Sequence, residues 1–176
     1  MFRDPALLPD PFPETLRPIV WAKTPARLTL ARFPRDVVPR LAGDEFALAA
    51  PFPVAYRLAG EMGVREIVVP RGFITDLASV PRFLRPLVGV VGPHLEAAVV
   101  HDYLYVQRWR GGETAARRAF ADGMMLALMR DARFALRWPV YGVVRTFGGV
   151  LMRRPPEGRL LAAFSSAGGA RALTGG

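Results

Sequence analysis

No cysteine occurs anywhere in the chain, which excludes disulfides, thiolate metal sites and a cysteine nucleophile together. Lysine is almost as scarce. Lys23 is the single example among 24 basic residues, so the net charge of +9 is carried by arginine. A bias this complete reads as the mark of a GC-rich genome, not of a chemical demand. The positive excess still favours acidic partners, whether nucleic acid, anionic lipid or another protein. No basic run exceeds two residues, as at Arg117-Arg118 and Arg153-Arg154, so no specific nucleic-acid partner is expected. Long apolar runs are missing too. The apolar middle is broken by Arg85, Pro86, His94, Glu96, His101 and Asp102, and Pro139–Met152 is short and contains Arg145. Neither meets the roughly 20-residue requirement of a membrane span. The N-terminal MFRDPALLPDPFPETLRP carries early charges and five prolines with no continuous apolar core, which is not how a signal peptide is built.

What is present suffices for one domain. At 176 residues, 51% of them hydrophobic, the chain can bury a real core but not two. Residues 1–25 read as a proline-rich extended arm, lying on a neighbour or on the body. Residues 26–152 read as a single α+β domain, and 153–176, rich in Ala, Gly and Ser without a period, as a flexible or partner-ordered tail.

Within the domain, Leu28 and Leu30 alternate with Thr29 and Ala31, and Glu45–Ala50 and Val54–Leu58 are short apolar runs. Arg65–Val69 is rich in β-branched residues and stopped by Pro70. Ala59–Gly63 has the length and glycines of a hairpin loop. A small antiparallel sheet across residues 27–70 is therefore expected. Helices are expected at about 82–89, 94–109, 113–131 and 134–150, punctuated by Gly92-Pro93 and Gly111-Gly112. Strands first and helices afterwards define an α+β fold, not an alternating one.

The chemistry concentrates in Ala97–Arg130, two helices joined by an Arg-Gly-Gly link. On an ideal helix Ala98, His101, Asp102 and Tyr105 stand at i, i+3, i+4 and i+7 and share a face. Polar groups in so apolar a segment need partners, and Asp122 on the next helix is the obvious one for His101 and Tyr105. A neutral imidazole takes a proton from water when a carboxylate holds its other nitrogen. His101, Asp122 and Tyr105 are therefore the candidate catalytic residues, with Asp102 left to hold a cation. The bland alternative is a satisfied hydrogen-bond network that braces two helices.

Around these residues the pattern A-A-x-x-H-D-x-x-Y followed by A-D (Ala97, Ala98, His101, Asp102, Tyr105, Ala121, Asp122) resembles the core of phospholipase A2-type domains. The disulfide-free version in the parvovirus minor capsid protein is the nearest form. The resemblance implies a histidine that activates water, an adjacent aspartate that ligates Ca2+, and a tyrosine and second aspartate that brace the histidine. That family draws calcium-binding carbonyls from a Gly-rich loop upstream. No G-x-G occurs here, and only Gly72–Asp76 or Gly89–Pro93 could substitute.

A wider stretch, from about Tyr56 to Gly149, resembles a small phage and prophage family catalogued only as a domain of unknown function. It carries GFITDLASVPR (Gly72–Arg82) and HDYLY (His101–Tyr105) intact. This resemblance implies a phage-linked origin near tail or morphogenesis genes and brings no established activity.

Asp76 divides evenly between joining Asp102 at a cation and capping a turn with Thr75 and Ser79. Ser79 lacks the flanking glycines of a nucleophile elbow. Arg82 suits an anion or simply pairs with Asp76. His94 and Glu96 form no deaminase signature, and Glu96 suits the positive end of a helix. Met124, Met125 and Met129 read as core filler.

Two functions from different classes follow as expectations. One is a Ca2+-dependent ester or phospholipid hydrolase associated with a virion or tail. The other is a non-enzymatic virion or tail component whose arm and tail bind neighbouring phage proteins. The expected location is the virion, or the host cytoplasm during assembly.

Overall fold

The β-branched and aromatic alternation of the first half forms strands. The computed structural model describes residues 9–33, 45–75, 92, 94–108 and 114–151. In chain order the strands are β1 (Ile19–Lys23), β2 (Leu30–Phe33), β3 (Glu45–Leu48), β4 (Phe52–Leu58), β5 (Arg65–Val69) and β6 (Ile74–Thr75). Three helices follow: α1 (Leu95–Gln107), α2 (Thr114–Asp131) and α3 (Arg137–Leu151). The α+β order is as expected, and the three helices fall within a few residues of three of the four expected spans. The fourth, at 82–89, lies outside the described residues, as does the stretch beyond 151.

The strands differ from the expectation of one sheet. They make two antiparallel three-stranded sheets, β1-β4-β5 and β2-β3-β6. The break falls at Ala49-Ala50-Pro51, a bend that separates β3 from β4. The expected arm also contributes β1, which pairs Trp21 with Arg57 and Lys23 with Ala55, across an irregularity between Ile19 and Trp21. Pro53 sits inside β4, opposite Val68 of β5 and past the end of β1. Its missing N–H therefore faces a side with no strand to serve. The β4–β5 hairpin turns through Gly60 at φ +78°, a conformation that costs a glycine nothing.

Period-2 patterning then builds the core. Phe52, Val54, Tyr56 and Leu58 of β4 are buried with Ile67 and Val69 of β5, while Arg57, Glu66 and Val68 face out. Phe120 of α2 meets Tyr56 edge-on at 5.7 Å, and Tyr103 of α1 meets Phe73 at 5.4 Å. α2 lies between α1 and α3 and also packs on β1. Met124, Met125 and Met129 are fully buried, as expected of core filler. Trp138 is exposed and pairs edge-on with the half-buried Tyr141.

α1 is unlike an ordinary surface helix. Every residue from Ala97 to Gln107 is buried, so it has no solvent face, and a helix apolar on nearly all sides belongs at the centre of a fold. Glu96 occupies its first turn and accepts a hydrogen bond from the Thr24 hydroxyl, tethering the chain after β1 to the positive end of the helix. His101 and Asp102 are carried inward by this placement, and their chemistry depends on it.

Candidate functional site

His101 and Tyr105 stand one turn apart on α1 with ring centroids 4.0 Å from each other. Both reach across to α2. His101 Nε2 lies 3.0 Å from Asp122 Oδ1, and the Tyr105 hydroxyl donates to the same oxygen at 2.7 Å. The other oxygen, Oδ2, accepts from Arg145 Nη1 of α3 at 3.1 Å and lies 3.7 Å from Arg118 Nε, one turn back on α2. Arg118 also donates from Nη2 to the Arg145 carbonyl. Asp122 has no solvent exposure and His101 almost none.

The charge state of Asp122 follows from these contacts. Burial, the largest single influence, pushes its carboxyl up. The hydrogen bond and charge of His101, then the hydrogen bonds of Tyr105 and Arg145, together outweigh burial and hold the group below the ordinary carboxylate range. Asp122 is thus a carboxylate, and Tyr105 is its complement. Burial first, and then the charge and hydrogen bond of Asp122, push the phenol well above its usual range, so it stays a donor. The Arg108 guanidinium stands 4.3 Å above the Tyr105 ring, and burial lowers its own affinity for a proton.

An ionised Asp122 can only accept, so Nε2 carries the proton, and in the neutral form of the ring Nδ1 keeps its lone pair. Nδ1 is buried and makes no hydrogen bond among the described residues. Leaving such an atom unsatisfied costs about 1–3 kcal/mol. A ring held by a carboxylate on one nitrogen and open on the other has the form of a general base.

The expected single face divides in two. Asp102 follows His101 directly, about 100° further round the helix, and its Oδ2 accepts from the Thr75 hydroxyl of β6 at 2.7 Å. Thr75 is fully buried and holds this acid from the second sheet. The other candidate ligand, Asp76, lies outside the described residues, with Ser79 and Arg82. Among the described residues no group of three or more His, Cys, Asp or Glu side chains could hold a metal ion. No helix among them is long and apolar enough to cross a membrane.

Three members of the cluster were not singled out by the sequence. Arg118 had a usable signal, since it sits four residues before Asp122. Arg145 had none, because the α2–α3 packing that delivers it is tertiary. Thr75 was read only as a turn cap. His94, the other buried histidine, stacks against Phe134 at 5.1 Å, and burial lowers its proton affinity. It contributes to the start of α1, not to the cluster.

Fold and cluster together define an α+β domain in which a buried histidine and tyrosine of α1 meet a buried aspartate of α2. The chain belongs to the family described as "Protein of unknown function (DUF1353)", whose model matches residues 48–144, more than half of the sequence. The match takes in His101, Asp102, Tyr105 and Asp122 and stops one residue short of Arg145. No curated protein and no solved structure matches the chain.

Proposed function

We propose that this protein is a hydrolase in which His101, oriented by Asp122 and Tyr105, draws a proton from water attacking an ester, with a phospholipid ester as the expected substrate. The observation that carries the reading is the buried Nδ1, unbonded among the described residues, opposite a carboxylate-held Nε2. A network serving only to brace helices gains nothing from such an atom. A water-activating imidazole requires it. The proton taken at Nδ1 leaves an imidazolium facing Asp122, whose negative charge stabilises it, and the ring returns the proton to the departing alkoxide. The resemblance of the HDxxY and AD spacing to phospholipase A2-type cores supports the same roles.

Ca2+ enters as part of this proposal. Asp102 is the residue that would contribute to a cation site, together with Asp76, and a bound cation would polarise the ester carbonyl. A cation needs more oxygen ligands than one carboxylate supplies, so Asp102 alone does not make the site. We also assign the protein a phage-linked origin, with partners among virion or tail proteins. That assignment rests on the wording of the GFITDLASVPR and HDYLY segments.

A second reading has its own observation. Asp122 ties together side chains from all three described helices, as a brace would, and a structural virion or tail component would use it so. His101→Gln separates the two. A glutamine amide reaches the Nε2 position and can still bond Asp122 but cannot serve as a base. Hydrolysis of phosphatidylcholine vesicles by wild type, lost in His101→Gln while Tm stays within a few degrees, supports the enzyme. Wild-type protein that fails to hydrolyse the vesicles, with or without added Ca2+, removes it. In parallel, a Ca2+-induced rise in Tm that disappears in Asp102→Asn supports the cation site, since a ligand of the native state stabilises it by mass action.

A further inference from the structure

We infer that Arg118 and Arg145 form a binding site for a phosphate-class oxyanion beside the His101–Asp122 pair. The inference rests on the hydrolase reading of that pair and deepens it by naming the residues that would hold the phosphate group of its substrate.

The argument is one of unmatched charge and donors. Two other described arginines each meet a carboxylate of their own. Arg117 engages Asp10 through two nitrogens at 2.6 and 3.2 Å, and Arg65 engages Glu61 through two at 2.7 and 3.1 Å. Among the described residues Arg118 and Arg145 share one carboxylate, Asp122, and both approach the same oxygen, Oδ2. The other oxygen is already taken by His101 and Tyr105. Two guanidinium charges thus face one carboxylate whose acceptor positions are in use. Arg118 Nε is buried without a hydrogen bond among the described residues.

The pair is also held in place. The bond from Arg118 Nη2 to the Arg145 carbonyl fixes one residue against the other, and Asp122 anchors both from beneath. Exposure rises outward, from none at Asp122 to 24% for the Arg118 side chain and 45% for that of Arg145. An anion therefore reaches the outer edges of both forks without displacing Asp122. Planar guanidiniums offer several N–H groups in fixed directions, a geometry that suits the oxygens of a phosphate. The pair engages Asp122, which lies at Nε2 of the imidazole and not at Nδ1, so it would hold a recognition group of the substrate and not its reacting carbonyl.

The test is calorimetric titration of inorganic phosphate into the full chain, with chloride at equal ionic strength as control, because unspecific attraction is screened by salt. Wild type is expected to bind phosphate above the chloride background. Arg145→Gln should weaken that binding at least about tenfold, the scale of one lost charge-assisted hydrogen bond. Arg145→Lys, which keeps the charge and loses the fork, should fall between them, and Arg118→Gln should act in the same direction as Arg145→Gln. Wild type that binds no phosphate beyond the chloride control overturns the inference, and so does an Arg145→Gln protein that binds as tightly as wild type. Turnover of phosphatidylcholine vesicles, measured beside the titration, keeps this outcome apart from the fate of the hydrolase reading. Phosphate binding without any turnover leaves the anion site standing and the enzyme reading fallen, and turnover without phosphate binding does the reverse. Competition by glycerophosphocholine would assign the site to a lipid-type phosphodiester. Failure of that competition beside intact phosphate binding would assign it to a free phosphate or monoester.

Discussion

Asp122 receives hydrogen bonds from an imidazole, a phenol and a guanidinium with no solvent to replace any of them. Removing its charge leaves a buried imidazole and phenol and two partly exposed guanidiniums without their acceptor, which typically costs on the order of 2 kcal/mol. Asp122→Asn is therefore expected to be folded but substantially less stable than wild type in urea or heat. The pH dependence identifies the cause. The folded-state pKa of Asp122 is depressed, so its contribution is fully present above the unfolded carboxylate value of about 4 and is lost as pH falls through the folded value. The stability gap between wild type and Asp122→Asn should be flat from about pH 5 to 8 and narrow below about pH 4. A gap that narrows at neutral pH instead would mean that another group governs it. At this scale the sequence was largely legible: helical spacing paired His101 with Tyr105, and the polar character of Asp122 in an apolar segment marked it as their partner. Arg145 escaped notice because only the packing of α3 on α2 brings it to Asp122.

Helix α2 ends on Arg133 at φ +53°. The Phe134 N–H bonds back to the Met129 carbonyl and the Arg133 N–H to that of Arg130, the pattern in which a helix stops on a left-handed residue. Glycine suits that residue best, and an L side chain there costs roughly 1–2 kcal/mol. Part of the relief is lost because glycine also frees the unfolded chain. Arg133→Gly should accordingly stabilise by about 1 kcal/mol and raise Tm by roughly 2–4 °C, whereas an unchanged or lower Tm would show that the Arg133 side chain contributes more than the strain removes. The sequence places the end of this helix at 131 without marking its left-handed residue, since DARFALRW lacks the usual glycine, and the helix expected from 134 begins instead at Arg137. The other helices were readable because Gly92, Gly111 and Gly112 bracket long apolar runs. The sheets were less so. Strand existence follows from local alternation, but the division of strands between two sheets depends on long-range pairing, which periodicity does not encode.

The whole molecule raises the question of what the proline-rich arm is for. Over its described residues it lies on the body. Phe12 is buried against Phe120 of α2 at 5.6 Å, the Arg117 guanidinium stands 4.7 Å above the Phe12 ring, and Arg117 clasps Asp10. Phe120 in turn meets Tyr56 of β4, so the arm completes the layer that joins the first sheet to α2. If this contact is intrinsic to the fold, Phe12→Ala empties a buried aromatic site and should cost about 3 kcal/mol, seen as a Tm lower by roughly 6–12 °C. If the arm instead serves neighbouring chains in an assembly, the isolated protein should be nearly indifferent to the substitution, and its effect should emerge only on association. Because α2 carries Asp122 on the turn after Phe120, loosening the arm would also loosen the carboxylate that orients His101. Loss of function in Phe12→Ala would then accompany its loss of stability, restored together on cooling, in contrast to His101→Gln, where function alone is expected to go.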